Sequence, residues 1–132
     1  MISLASDYPT LLRISSSVLE GETEALFVRR PTSEAVTDKK LSSRMLAEAA
    51  PKLEVTHIHP TDGSFHVSLS PADASEVIRK GWGTRHRLSG RIGLPTAYTM
   101  VYAPRSEEEL SVVKRIMAAG VEYATGMEQI QI

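Results

Sequence analysis

The sequence has no cysteine, few aromatic residues and no long apolar run. Without cysteine, the 132 residues exclude disulfides, thiolate catalysis, iron–sulfur clusters and cysteine-ligated zinc. Aromatic side chains make up 5% of the chain, too few for a surface on which nucleic-acid bases stack, and the net charge of -1 gives no general attraction to phosphate. The longest apolar stretches fall far short of the ~20 residues that span a bilayer. We therefore expect neither a nucleic-acid partner nor a membrane.

Length and composition are those of one ordinary globular domain. A chain of 132 residues with 42% hydrophobic and 23% charged residues is expected to fold as a single domain over residues 1–132. Residues 1–18 have the least regular pattern and are expected to be the most loosely ordered. The segment from Met1 to Ala5 lacks the basic start and long apolar core of a signal peptide, so a cytoplasmic location is expected.

Turn and cap signals divide the chain into alternating strands and helices. Ser70, Pro71 and Asp73 are typical of a helix start, and Gly81 is typical of a helix end. The predicted helices are a short one within Asp7–Leu19, one over Leu41–Ala50, one after Ser70 and one from Ser106 to Ala124. The predicted strands are Ala25–Val28, ended by Pro31, the hairpin of Leu53–His59 with Ser64–Leu69, and Tyr98–Ala103. This order predicts an α+β fold of two layers, with a mainly antiparallel sheet and helices on one face. A ferredoxin-like arrangement is one form that fits it.

Three of the four histidines are predicted to share one face of the hairpin. His57 and His59 are two residues apart in a strand and therefore point the same way. A four-residue loop over 60–63 sets His57 opposite His66, whereas a two-residue turn at Asp62 and Gly63 sets His59 opposite His66. In both registers the three imidazoles are neighbours, because opposed residues share a side of the sheet.

Neighbouring imidazoles cannot all carry a charge at low cost, so some should be neutral near pH 7. A neutral imidazole either accepts a proton as a general base or binds a metal ion. As an alternative cofactor, a divalent metal on His57, His59 and His66 is considered, although a carboxylate ligand is missing because Glu54 is expected on the face opposite His57. The remaining alternative is an open sheet face on which solvated histidines carry no chemistry.

A basic segment without acids follows the hairpin. Between Val77 and Ser106 there is no Asp or Glu. The basic residues in it are Arg79, Lys80, Arg85, Arg87, Arg91 and Arg105. The segment is either a solvated face or part of a pocket for an anionic or enolic small molecule.

Several strings together resemble the domain of the fungal luciferases and their uncharacterised relatives. They are His57-Ile58-His59, Gly63-Ser64-Phe65-His66-Val67-Ser68-Leu69, Gly81-Trp82-Gly83-Thr84-Arg85-His86 and Tyr102-Ala103-Pro104-Arg105 with Glu107-Glu108-Glu109. The similarity extends from about Leu19 to Gly126. One departure is Arg87, where the light-emitting enzymes usually have proline; they are also longer and carry an N-terminal membrane anchor that we do not expect here.

The resemblance implies oxygen chemistry without a flavin or nicotinamide. Characterised fungal luciferases add dioxygen to a hydroxylated styryl-pyrone, and the peroxide collapses with loss of carbon dioxide. The leading hypothesis is a cofactor-free enzyme whose small-molecule substrate is enolic, phenolic or polyketide-like, with dioxygen as a second partner. The assigned residues are His57, His59 or His66 as general base, His86 as a second acid or base, Arg85 and Arg105 around the oxyanion, and Trp82 and Tyr102 against the substrate. The alternatives are a histidine-ligated metal enzyme and a non-catalytic small-molecule-binding module.

Overall fold

The computed structural model describes residues 1–29, 53–127 and 129–132. The helix predicted over Leu41–Ala50 and the strand end predicted at Pro31 lie outside these residues. Within the described ranges, no helix is long and apolar enough to cross a membrane.

Six strands form one sheet, and three helices complete the described part of the chain. The helices are α1 (Ile2–Asp7), α2 (Pro71–Arg79) and α3 (Glu107–Thr125), and the strands are β1 (Leu12–Ser16), β2 (Glu24–Val28), β3 (Glu54–Ile58), β4 (Phe65–Ser68), β5 (Gly83–Arg85) and β6 (Tyr98–Val101). The sheet order is β1-β2-β3-β4-β6-β5, and every neighbouring pair is antiparallel. The predicted two-layer α+β class is confirmed.

The helices cover one face of the sheet and share one apolar core with it. Val67 of β4 and Val101 of β6 are fully buried in this core, together with Val77 of α2 and Val121 of α3. The residues predicted to face the helices from the hairpin, Phe65, Val67 and Leu69, all belong to the core, and Ile58 packs against it. The opposite face of the hairpin is left to polar side chains.

The strand order differs from the ferredoxin-like arrangement. In that arrangement, the strand before each crossover helix and the strand after it are parallel to each other. Here β4 and β5, the strands before and after α2, are parallel and flank β6, so the sheet contains one split β-α-β unit. The order differs from that arrangement because β4 pairs on its other side with β3, and the sheet continues from there to β2 and β1. The short strand β5, which the sequence did not predict, takes the outer position beside β6.

The N-terminal segment forms a strand where a helix was predicted. The helix α1 ends at Asp7, and Leu12–Ser16 is the edge strand β1, paired with β2. Leu12 and Ile14 are two residues apart and pack into the core, whereas serines at 15 and 16 favour a helix poorly. The prediction of a helix within Asp7–Leu19 is therefore wrong.

The predicted helix caps are confirmed. The Ser70 hydroxyl accepts the N–H of Asp73 at 3.1 Å, and Gly81, at φ +78°, ends the helix. The N–H of Trp82 donates to the carbonyl of Val77 at 3.0 Å, the hydrogen bond expected of a glycine-ended helix. This hydrogen bond ends α2 and turns the chain toward β5.

Candidate active site: a histidine cluster on the open face of the sheet

The hairpin brings three imidazoles together in the register that a four-residue loop requires. His57 of β3 lies opposite His66 of β4, and the N–H of His59 donates to the carbonyl of Ser64 at 2.8 Å. The ring centroids are 5.0 Å apart for His57 and His66, and 4.5 Å apart for His59 and His66. The predicted clustering on one face is confirmed.

The fourth histidine joins the cluster from the chain that follows β5. The N–H of His86 donates to the carbonyl of Tyr98, and the ring centroids of His86 and His66 are 4.6 Å apart. The Tyr98 ring packs edge-on against both, with centroids at 5.3 Å. Sequence reasoning placed Tyr98 in a strand and missed it as a site residue.

Two histidines of the cluster are buried, and the other two, His59 and His86, are half-buried. His57 has no exposed surface and His66 has 8%, and the serines at 64 and 68 beside them are also buried. An open face of solvated histidines is therefore excluded. Polar groups in such surroundings need partners, so the hydrogen bonds of each ring determine what it can do.

A β-bulge brings Glu54 to the same face as His57. Leu26 of β2 lies opposite Thr56, but Phe27 lies opposite Glu54, so β3 carries Val55 as an extra residue. In a regular strand, residues three apart point to opposite faces, and the bulge reverses this. The prediction that Glu54 faces away from His57 is wrong, because its Oε1 lies 2.6 Å from the Nδ1 of His57.

Glu54 holds the His57 ring in one orientation and one tautomer. The carboxylate is 1% exposed and also accepts the Ser17 hydroxyl at 2.9 Å and the Val18 N–H at 2.8 Å. With the carboxylate as acceptor, His57 Nδ1 carries the proton. The lone pair of neutral His57 is therefore on Nε2.

His59 has the same tautomer for a different reason. Its Nδ1 lies 2.8 Å from the Ser64 hydroxyl, whose single proton is donated to Asp62 at 2.7 Å. The Ser64 oxygen consequently accepts from His59, which leaves the lone pair of His59 on Nε2 as well. The hydrogen bonds from the Ser64 side chain and backbone lower the pKa of Asp62, which keeps it an acceptor.

Both lone pairs face Glu20, a residue that sequence reasoning missed. The Oε1 of Glu20 lies 3.2 Å from His59 Nε2 and 3.6 Å from His57 Nε2. Neither Nε2 has a hydrogen-bond partner among the described residues. Glu20 lies between β1 and β2, where its N–H donates to the Ser17 hydroxyl, and no sequence pattern marks it. Glu20, His57, His59 and His66 each offer one ligand atom, all within 4.8 Å of one another.

The other two histidines are held in the neutral state. Burial, followed by the charges of the neighbouring histidines, lowers the pKa of His66 to about 3. Burial also lowers the pKa of His86, assisted by His57 and His59 and opposed by Glu20. The Leu88 N–H donates to His86 Nδ1 at 3.2 Å, so neutral His86 carries its proton on Nε2 and is a donor.

Acid should destabilise the protein through His66. In the unfolded chain His66 binds a proton below about pH 6.5, whereas the folded protein, with His57, His59, His86 and Tyr98 packed around the ring, binds it only near pH 3. The unfolded state therefore binds more protons in this window, and the melting temperature should fall as the pH drops from 7 to 5. The measurement is a thermal melt series in metal-free buffer. A His66→Gln variant should have a shallower slope, and an equal slope would contradict the assignment.

Three of the four other predicted site residues lie away from the cluster. Arg85 pairs with Thr99 on the helix-covered face and lines a pocket beside α2 with Pro71. Trp82 lies in a groove with Val77 of α2 and Ile116 of α3, and Tyr102 is 44% exposed at the end of β6. The side chain of Arg105 is 84% exposed and forms an ion pair with Glu109. The positions of Arg85, Trp82 and Arg105 do not support their predicted roles at the histidines.

Acids just outside the basic segment pair with three of its six cations. Arg79 and Lys80 both form ion pairs with Glu76, and Arg105 does so with Glu109. These pairs lie on exposed parts of α2 and at the start of α3, where ion pairs contribute little to stability. In the described structure, the six basic residues therefore do not line one common pocket.

Comparisons with known proteins identify the family. A model described as the luciferase domain matches residues 52–120. The luciferases of Armillaria gallica and Armillaria mellea are each 39% identical to this chain over 118 residues, which are 87% of this chain and 44% of each relative. The luciferase of Neonothopanus nambi is 46% identical over 77 residues, which are 56% of this chain and 29% of that relative. The chain thus spans less than half the length of these relatives, and no solved structure matches it significantly. By the family match and these identities, the chain belongs to the luciferase-domain family.

Proposed function

We propose that the chain is a catalytic domain that ionises an enolic or phenolic small molecule at the histidine cluster and lets the resulting enolate react with dioxygen. The observation that carries this proposal is the fixed pair of Nε2 lone pairs on His57 and His59. Both are aimed at one point beside Glu20, and both lack a hydrogen-bond partner among the described residues. A hydroxylated aromatic, pyrone or polyketide-like molecule supplies the acidic O–H that such lone pairs accept.

His59 is the proton acceptor nearer to solvent. Its side chain is 16% exposed, whereas His57 is fully buried behind it. A proton transferred from the substrate to His59 Nε2 forms an imidazolium 3.2 Å from the Glu20 carboxylate, which stabilises the new charge. Ser64 holds the other nitrogen, so the ring does not need to turn during the transfer.

His86 is suited to bind the oxyanion that the transfer leaves. Its Nδ1 accepts from the Leu88 backbone, so its Nε2–H is available as a donor. A hydrogen bond to a developing oxyanion favours the ionised substrate over the neutral one. This role replaces the one first assigned to Arg85 and Arg105.

The oxygen step needs no further redox partner. The enolate carbon supplies the electron pair for a new carbon–oxygen bond, and dioxygen is reduced to a bound peroxide. The proton held on His59 then protonates the peroxide, so the sum is addition of one dioxygen to one enol. The resemblance to the fungal luciferases supports this reaction class.

Replacing His59 by alanine should reduce turnover by about 10²–10⁴-fold, since this is the usual contribution of a positioned base. The assay follows a panel of hydroxylated pyrones and phenols under air and under nitrogen, with melting temperature as the check of folding. Lys80→Ala is the matched control, because Lys80 is exposed directly after α2 and pairs only with Glu76 among the described residues.

Three outcomes would count against parts of the proposal. Undiminished turnover by the folded His59→Ala variant would remove the assigned base. Equal turnover under nitrogen would remove the oxygen step while leaving ionisation in place. Binding of panel compounds without turnover under either gas would identify a binding module.

A further inference from the structure

We infer that Glu20, His57, His59 and His66 together bind one divalent first-row transition-metal ion. The inference concerns the same site and depends on the proposed function for the role of the ion. It rests on the donor geometry, on the groups that hold the donors, and on the charge of the site. Each of these is independent of what the substrate is.

The donor atoms are close enough to share one ion. Nitrogen and oxygen ligands lie about 2.0–2.2 Å from such an ion, so two of them are at most about 4.4 Å apart. The distances from Glu20 Oε1 to His59 Nε2, 3.2 Å, and to His57 Nε2, 3.6 Å, already satisfy this limit. The full set lies within 4.8 Å, so small side-chain rotations bring all four into range.

The groups behind the donors are those that support metal-binding histidines. Such histidines usually donate their second ring N–H to a carboxylate or another acceptor, which fixes the tautomer and raises the basicity of the ligating nitrogen. Glu54 accepts from His57 Nδ1, and Ser64, held in turn by Asp62, accepts from His59 Nδ1. Both arrangements leave Nε2 facing Glu20.

The buried Nε2 of His57 indicates that something is bound there. This side chain is wholly buried, and its Nε2 has no hydrogen-bond partner in the described part of the protein. A buried polar atom without a partner is costly and therefore rare. A cation beside Glu20 satisfies this nitrogen, the Nε2 of His59 and the carboxylate at the same time.

The charge and chemistry of the site favour a transition metal. Two carboxylates, Glu20 and Glu54, contact the histidines, and within residues 1–29 and 53–127 no lysine or arginine forms an ion pair with either. Three imidazole nitrogens and one carboxylate oxygen suit Zn²⁺, Fe²⁺, Co²⁺ or Cu²⁺ better than Mg²⁺ or Ca²⁺, which prefer oxygen ligands. With the ion bound, its charge would stabilise the substrate oxyanion, and the substrate proton would pass to solvent water, because His59 Nε2 would then hold the ion.

The test is metal binding by the untagged, chelator-treated chain, with Co²⁺ and Zn²⁺ as the only additions. We expect about one equivalent of each to bind, with visible Co²⁺ absorption that reports nitrogen and oxygen ligands. Glu20→Gln and His59→Gln should each weaken binding by about 100-fold, and Glu54→Gln, a positioning change, by about 10–100-fold. Glu20 and His59 are partly exposed, so these two variants do not depend on replacing the buried His57.

Matched controls separate this site from adventitious binding. Glu22→Gln removes an exposed carboxylate from the same loop, and His86→Gln removes an imidazole of the cluster that is not a ligand. Both should retain the affinity of the unaltered chain. If Glu20→Gln and His59→Gln also retain it, or if the unaltered chain binds far less than one equivalent, the inference is overturned.

The inference and the proposed function fail in different ways. Turnover by metal-free protein, undiminished by chelator, together with binding of far less than one equivalent of Co²⁺ or Zn²⁺, would overturn the metal site and leave the proposed function intact. Tight binding of one ion that is lost in Glu20→Gln and His59→Gln, with no turnover of any panel compound, would support the metal site and refute the proposed function.

Discussion

Replacing Glu54 by alanine should lower the free energy of unfolding by about 3–5 kcal/mol, since each buried donor left without its acceptor costs about 1–3 kcal/mol. The change leaves three donors without an acceptor: the Ser17 hydroxyl, the Val18 N–H and the Nδ1–H of His57. Because the position is 1% exposed, water cannot replace the carboxylate without opening the structure. Urea denaturation, monitored by circular dichroism, measures the loss.

Two variants calibrate this result. Glu24→Ala, at an exposed position of β2, should change the free energy of unfolding by less than about 0.5 kcal/mol. Glu54→Gln keeps one oxygen acceptor and should lie between the alanine variant and the unaltered protein. A loss within the Glu24→Ala range for Glu54→Ala would show that this carboxylate does not hold the site together.

Replacing Gly120 by valine should cost about 3 kcal/mol, because α3 lies directly against β4 at this residue. A Cβ at position 120 would lie 2.5 Å from Val67 Cγ2 and 3.2 Å from the carbonyl oxygen of Ser68. Val67 is fully buried, so the added atoms can be accommodated only by moving the helix away from the sheet. Thermal and urea denaturation both report the change.

A smaller change at Gly120 tests the cause. Gly120→Ala gains about 1 kcal/mol of helix propensity, yet it should still destabilise, because its Cβ meets the same contact with Val67. In a Val67→Ala background that contact is relieved, and Gly120→Ala should become neutral or stabilising. Additive effects of the two changes would contradict the steric explanation.

The common face of the three histidines could be predicted because a local signal places the turn, although the sequence left a four-residue loop and a two-residue turn as alternatives. Asp62 and Gly63 form the turn, with the Ser64 N–H bonded to Asp62 and Gly63 at φ +72°. Once the loop has four residues, the period of two in each strand places His57, His59 and His66 on one face. The helices α2 and α3 could be predicted for the same reason, because the signals of their cap residues lie within one turn of the helix.

The parts that sequence reasoning missed depend on contacts between distant segments. Glu54 was assigned to the wrong face because a bulge in β3 is set by its pairing with β2 and leaves no mark in the local pattern. Glu20 reaches the cluster only because Ser17 and Val18 bind Glu54, 36 or more residues further along the chain. Arg85 was assigned to the oxyanion as a fixed charge of the basic segment, but its pairing opposite Thr99 directs it to the other side of the sheet.

The bonds from Glu54 to Ser17 and Val18 also determine how the β1–β2 connection moves. A surface loop of this kind usually opens at little free-energy cost, independently of the sheet behind it. Here the connection cannot open without breaking the hydrogen bonds that the Ser17 hydroxyl and the Val18 N–H donate to the buried Glu54 carboxylate. The amide hydrogens of residues 18–20 should therefore exchange with solvent as slowly as those of β3, which would keep Glu20 in place beside the histidines.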